Sequence, residues 1–260
     1  MSEARLHAFR LHENLYFIGT EAVSVHLIDT GAGLVLIDTG YPDMRKTVLD
    51  NIRALGFSPE DIIAILHSHA HIDHIGSTRE LVALSGATTY MSRVDDAIFN
   101  GPRDLTWAGE LGIPPVPPFH SDVLVEDGDV FTFGNTRVRC LLTPGHTAGT
   151  LSFFITLPGG TVAAMLGGAG FNTLQTPFLS AYGLPYTCRE EFLASLTRLG
   201  GERCDLVIGN HPQQTNTLGK MWKAEDGKDT RDGAEWGRFL ASLKRSLALL
   251  SAKDPAPEGK

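Results

Sequence analysis

Residues 67–74 read HSHAHIDH, so four of the chain's ten histidines and one aspartate fall within eight positions. Imidazoles gathered that closely repel one another when protonated, and packing gives no reason to gather them. A divalent cation does. Neutral imidazole nitrogen and carboxylate oxygen are the ligands that Zn²⁺ takes, at about 2.0–2.2 Å. In an extended stretch, side chains two residues apart point the same way. His69 and His71 can therefore share one ion, while Asp73 and His74, past the start of a turn, aim at a neighbouring point. Local ligands supply only part of a coordination shell, and two distant histidines stand out as the remainder. His146 lies in TPGHTAGT, a glycine-flanked turn between β-type runs, and His211 lies in VIGNHPQ, just past another. Taken singly, a histidine in a turn is more often a surface residue than a ligand; the eight-residue cluster carries the reading. If the runs lie side by side, one sheet edge collects His69, His71, Asp73, His74, His146 and His211, six ligands and enough for two ions. His67 adjoins the cluster as a support for its ligands.

These residues need strands to hold them. LYFIG, AVSVHLIDT and GLVLIDTG read as strands punctuated by Gly-Ala-Gly and Gly-Tyr-Pro. MRKTVLDNIRALG has helical apolar spacing and is closed by Gly56. DIIAILH reads as a buried strand leading straight into the histidines. STRELVALSG opens with Ser77 and has Glu80 three residues on, the pattern of a capping box, so the cluster occupies a loop between a strand end and a helix start. Residues 100–121 are rich in proline and glycine and lack periodicity; they read as a long loop and a candidate lid, with Trp107 and Phe119 placed to cover an apolar part of a substrate. VLVEDGDVFTFGNTRVRCLLT, LSFFITL, GTVAAML and CDLVIGN read as strands, and residues 189–199 and 233–251 as helices. The order implies two similar α/β halves facing each other in one layered domain over 1–252, with 253–260 as a disordered tail.

A formal charge of −8 opposes binding to nucleic acid or anionic lipid. No run is long and apolar enough to span a bilayer, and the N-terminus lacks the apolar core of a signal peptide. Cys140, Cys188 and Cys204 lie far apart without a CxxC pair, which points to free thiols and a cytoplasmic setting.

The cluster contains HxHxDH, the signature of the metallo-β-lactamase superfamily, as His69, His71, Asp73 and His74. GLVLIDTG, TPGHTAGT and NHPQQTN follow in that family's order, so the chain resembles it from about residue 14 to residue 216. The resemblance implies a four-layered αβ/βα sandwich with two Zn²⁺ ions at one sheet edge. It implies that His69, His71 and His146 hold the first ion and that Asp73, His74 and His211 hold the second. It also makes Asp38 a supporting carboxylate, where the residue alone reads equally as a turn residue before Gly40.

Most hydrolases of this family carry an aspartate that bridges the ions after the strand matching TVAAML. Here GGAGFN follows, and the position falls on Gly167, Gly168 or Ala169. A set without the bridge is similar to the third subclass of metallo-β-lactamases, as is the stretch from Gly112 to Gly134. The second ion is then expected to bind more weakly. A serine that holds the substrate carboxylate in many third-subclass enzymes is missing, and Thr215 or Asn216 stands nearest as a substitute. The implied activity is hydrolysis of an amide, β-lactam-like, or a related carbonyl bond in a small molecule by zinc-held hydroxide, with Asp73 orienting the water or passing a proton. Lactone, ester or thioester hydrolysis is the alternative in the same fold, and a metal-binding module without activity the alternative outside it. No GxSxG or base-paired cysteine offers a side-chain nucleophile.

Overall fold

The computed structural model describes residues 5–256. In chain order the elements are β1 (Phe9–His12), β2 (Leu15–Phe17), β3 (His26–Asp29), β4 (Leu34–Ile37), α1 (Arg45–Ala54), β5 (Ile62–Leu66), α2 (Ile72–Ile75), α3 (Thr78–Ser85) and β6 (Thr88–Ser92). There follow α4 (Arg93–Phe99), α5 (Ala108–Leu111), β7 (Val123–Val125), β8 (Val130–Phe133), β9 (Thr136–Leu142), β10 (Leu151–Thr156) and β11 (Val162–Leu166). The chain closes with α6 (Thr176–Tyr182), α7 (Cys188–Leu199), β12 (Leu206–Gly209), α8 (Thr217–Glu225) and α9 (Glu235–Lys253).

Period-two alternation builds two sheets, because successive strand residues face opposite sides. The first has seven strands in the order β1 to β7, antiparallel to β4 and parallel from there on. The second has five in the order β12-β11-β10-β9-β8, with only β11 and β12 parallel. Val35 and Ile37 of one sheet and Phe153, Ile155, Met165 and Ile208 of the other share the core between them. The intervening residues face outward. Leu34 and Leu36 meet Val48 and Ile52 of α1 and Leu81 of α3. Phe154, Ala164 and Val207 meet Phe192 and Leu196 of α7 and Trp236 and Leu240 of α9. The result is the four-layered αβ/βα sandwich.

Several local expectations differ from what forms. The histidine stretch is not all loop: residues 72–75 make one helical turn, α2. Residues 100–121 include the short helix α5. The capping box at Ser77 does not close, because the Ser77 hydroxyl donates to the Tyr41 carbonyl at 2.7 Å and Glu80 stays exposed. A tertiary acceptor wins over the local one. The chain is described past residue 253, where the sequence predicts the start of a tail. α9 runs to Lys253, and the Asp254 carboxylate accepts from Thr176 N at 2.7 Å and from the buried Arg189 at 2.8 Å. Residues 257–260 lie outside the described residues. Among the described residues no helix is long and apolar enough to cross a membrane.

His26 ties the sheets together. Its Nε2–H donates to the Gly209 carbonyl at 3.1 Å, and burial pushes its pKa down to about 4. A depressed imidazole contributes stability above the unfolded value near 6.5 and loses it as pH falls through 4. Metal-free protein unfolded by urea is therefore expected to lose up to about 3 kcal/mol more stability between pH 7 and 4 than the His26→Gln variant. Parallel pH profiles for the two proteins would remove His26 from the account.

Candidate metal centre

All the candidate ligands lie where strands end. The histidine stretch leaves the C-terminal end of β5, His146 sits in the turn between β9 and β10, and His211 follows β12. Backbone bonds draw these segments together: Leu151 N donates to Ser68 O at 2.8 Å, and Ser24 N to Asn210 O at 2.9 Å.

The first group converges tightly. His69 Nε2 lies 3.0 Å from His71 Nδ1, and His146 Nε2 lies 3.2 and 3.1 Å from those two atoms. The rings meet steeply, at 77–83°. A tetrahedral ion with bonds near 2.05 Å separates its ligands by about 3.3 Å, close to this spacing.

Hydrogen bonding assigns what these nitrogens carry. His146 Nδ1–H donates to the Gly170 carbonyl at 2.9 Å, so Nε2 holds a lone pair. The Ser68 hydroxyl gives its one proton to Asp38 Oδ2 at 2.7 Å. It must therefore accept from His69 Nδ1–H at 3.0 Å, which bares His69 Nε2. His71 Nδ1 faces both of these bare nitrogens, so three ring nitrogens converge on one point. Burial holds His69 and His71 well below the usual imidazole range and brings His146 to about 4, so the group stays neutral.

The second group is looser. Asp73 Oδ2 lies 3.3 Å from His74 Nε2 and 3.4 Å from His211 Nε2. His211 Nδ1–H donates to the Ala22 carbonyl and His74 Nδ1–H to Asp38 Oδ2, both at 2.9 Å. Burial opposes charge on His74, but the Asp73 and Asp38 carboxylates outweigh it and raise the ring to about 10. Burial likewise opposes charge on Asp73, and His74, His71 and His211 outweigh it, so the carboxyl titrates well below its usual range. The His69 and His74 rings lie 4.3 Å apart, so the two groups adjoin.

Asp38 is the hub beneath both. Its Oδ1 accepts from Ser68 N at 2.7 Å, and its Oδ2 serves Ser68 Oγ and His74. Its backbone is left-handed, with φ of 62°, a conformation that aspartate and asparagine tolerate.

Other expected residues fall differently. His67 does not support a ligand directly, because its nitrogens are taken by Tyr90 O at 3.1 Å and Thr78 Oγ1 at 2.8 Å. Trp107 comes near the site, its ring 6.4 Å from His71 and 4.7 Å from Phe178. Phe119 does not; half-buried, it packs on Phe99 at 5.1 Å and His67 at 5.8 Å. Thr215 is buried behind Gly209, and the Asn216 side-chain Oδ1 caps α8 by accepting from Gly219 N at 3.3 Å. The buried Thr215 hydroxyl finds no hydrogen-bond partner among the described residues, and the exposed Asn216 uses only its amide oxygen in the cap.

One residue went unread. The buried Asp95 carboxylate accepts from Ala70 N at 3.1 Å, Thr147 Oγ1 at 2.8 Å and Gly149 N at 2.8 Å, pinning the His69–His71 loop to the His146 turn. Burial pushes it up to about 6 despite those donors. Its only local signal is the helix cap from Ser92, which names a helix start and not a site.

The glycines after β11 also have a steric meaning. A Cβ on Gly167 would lie 1.8 Å from Leu151 O, and one on Gly168 would lie 2.5 Å from the His146 ring. Ala169 is buried in the core against α7 and α9. No side chain at these three positions can be presented between the two groups.

The model of the metallo-beta-lactamase superfamily matches residues 18–165. BJP-1, a subclass B3 metallo-β-lactamase of Bradyrhizobium japonicum, superposes with a TM-score of 0.85 at 26% identity, covering 96% of this chain and 95% of that one. A metallo-β-lactamase of Cronobacter sakazakii superposes at 0.83 with 28% identity, covering 97% of each chain. That protein is described by a HARLDQ motif, where residues 69–74 here read HAHIDH. A hydroxyacylglutathione hydrolase of Gloeobacter violaceus is 32% identical over 113 residues, 43% of this chain but only 36% of that protein's length. Matched by that family model and similar in structure to a subclass B3 enzyme, the chain belongs to the metallo-β-lactamase superfamily of hydrolases.

Proposed function

We propose that the chain is a dinuclear zinc hydrolase of small carbonyl substrates, with amide bonds of the β-lactam kind as the first class to test. The observation that carries it is the convergence of three imidazole nitrogens, two of them bared by hydrogen bonds on the far side of their rings, at 3.0–3.2 Å in a buried, neutral setting beside a second Asp-His-His group. This donor set fits zinc, which favours imidazole nitrogen with carboxylate oxygen. His69, His71 and His146 would hold one ion, and Asp73, His74 and His211 the other. When bound, such ions polarise a carbonyl oxygen and lower the pKa of water to near neutrality.

The chain's own residues do the rest. Asp38, Gly170 O and Ala22 O fix the imidazole tautomers before any substrate arrives. Asp73 points Oδ2 at His74 and His211, which leaves Oδ1 to accept a proton from the attacking water and return it to the leaving group. Free Cys140, Cys188 and Cys204 support a reducing compartment such as the cytoplasm. The match to a hydroxyacylglutathione hydrolase keeps thioester hydrolysis as the second reading.

Zinc-loaded protein assayed on a chromogenic cephalosporin, a lactone and an acyl thioester decides between these readings, with metal content measured on the same samples. Two zinc ions per chain are expected, with His71→Ala and His211→Ala each losing one and more than about a hundredfold in kcat/KM. Protein that retains no transition metal sinks the reading. Turnover of thioester alone moves the assignment to the second.

A further inference from the structure

A cavity of about 110 Å³ opens beside the first histidine group, with His71 and His146 forming one wall. Ile98 and Phe99 from α4, Leu105, and Phe178 and Leu184 from the α6 region supply the others. A dry apolar cavity of about 150 Å³ accepts a benzene ring, so this one has room for a group of about four or five carbons.

Its charge is as telling as its carbon. No lysine or arginine lines it, and its two ionisable wall residues besides the histidines and Cys188 are the carboxylates Asp95 and Glu191. The Asp95 oxygens are already engaged by Ala70, Thr147 and Gly149. A substrate carboxylate would find no partner there and would face like charge. An uncharged apolar group would exchange water for carbon.

The walls are braced. Trp107 stacks on Phe178 at 4.7 Å, and Phe178 on Tyr182 at 4.6 Å. The Tyr182 hydroxyl donates to Glu110, and Arg103 donates to the Tyr182 carbonyl. Asp95 anchors the opposite wall to both histidine loops. The cavity is thus a built feature, flanked by the imidazoles of the reacting centre.

We propose that this cavity seats an uncharged, apolar acyl arm of the carbonyl substrate, a chain or ring of about four or five carbons, and that it selects the substrate. The proposal rests on the hydrolytic reading above for its chemistry, but not for the binding itself.

The test has two arms on zinc-loaded protein. In the first, kcat/KM is measured on p-nitrophenyl esters from acetate to octanoate. It is expected to rise about fourfold per added methylene until the cavity is full, then level off or fall. In the second, saturation-transfer NMR follows cyclopentanol on the wild type and on Leu184→Trp, which fills the cavity, with Ile98→Phe as the alternative should the first variant not fold. The signal is expected to weaken in the filled variant, and the chain-length rise to vanish. A flat ester series in an active wild type, or cyclopentanol binding that neither filling variant alters, overturns the proposal. Cyclopentanol bound and displaced by filling, with no ester, amide or thioester turned over, upholds the cavity and overturns the hydrolytic reading instead.

Discussion

Asp38→Asn is expected to weaken metal binding at both groups at once, by about 10- to 100-fold at each. One carboxylate supports both. Through Ser68 it fixes the tautomer of His69, and directly it fixes that of His74. Asparagine keeps the shape and tolerates the left-handed backbone at φ of 62°, so the substitution tests the acceptor rather than the turn. Its amide must turn N–H toward at least one of Ser68 N, Ser68 Oγ and His74 Nδ1, all of which donate to the native carboxylate. Each donor left without an acceptor costs about 1–3 kcal/mol. Competition for zinc against a chromophoric chelator, with circular dichroism as the fold control, reads the outcome. Unchanged affinity at both groups would show that Asp38 is a turn residue and nothing more.

Gly168→Ala is expected to distort the first group and cost about a hundredfold in kcat/KM, the usual effect of displacing a catalytic group by about 1 Å. The added Cβ would stand 2.5 Å from His146 Cδ2 and 2.7 Å from its Cβ, far inside contact distance. His146 is held from behind by Gly170 O and Thr173, so the ring can yield only toward His69 and His71. Gly168→Asp should behave the same way, losing zinc rather than restoring a bridge. Metal-to-protein ratios for both variants are the measurement. A Gly168→Asp protein with tighter second-metal binding and higher activity would refute the steric account.

The ligand chemistry was legible in the linear chain because its strongest signal is local. Four histidines and an aspartate within eight residues need no fold to be noticed, and the short apolar runs in GLVLIDTG or LSFFITL need only neighbouring residues to mark a buried strand. The long helices at 188–199 and 235–253 were legible for the same reason. Short elements were not. β1, β6 and α4 carry too few periods to rise above the surrounding pattern, and α5 hides in a stretch rich in glycine and proline.

Partners distant in the chain are another matter. Asp95 looks like the first turn of a helix until β9 and β10 fold back and bring Thr147 and Gly149 to its carboxylate. Ser77 looks like a cap until Tyr41 O arrives, and Phe119 looks like part of a lid until Phe99 takes it inward. Residue type and spacing were enough to single out the imidazoles that the fold brings together in two groups. Which nitrogen faces inward at each group, which carboxylate supports it and what lies beside it follow from contacts between residues some 30 to 190 positions apart, from Asp38 with Ser68 to Ala22 with His211. Such contacts exist only once two sheets have buried their shared core, because that burial fixes which strand ends meet.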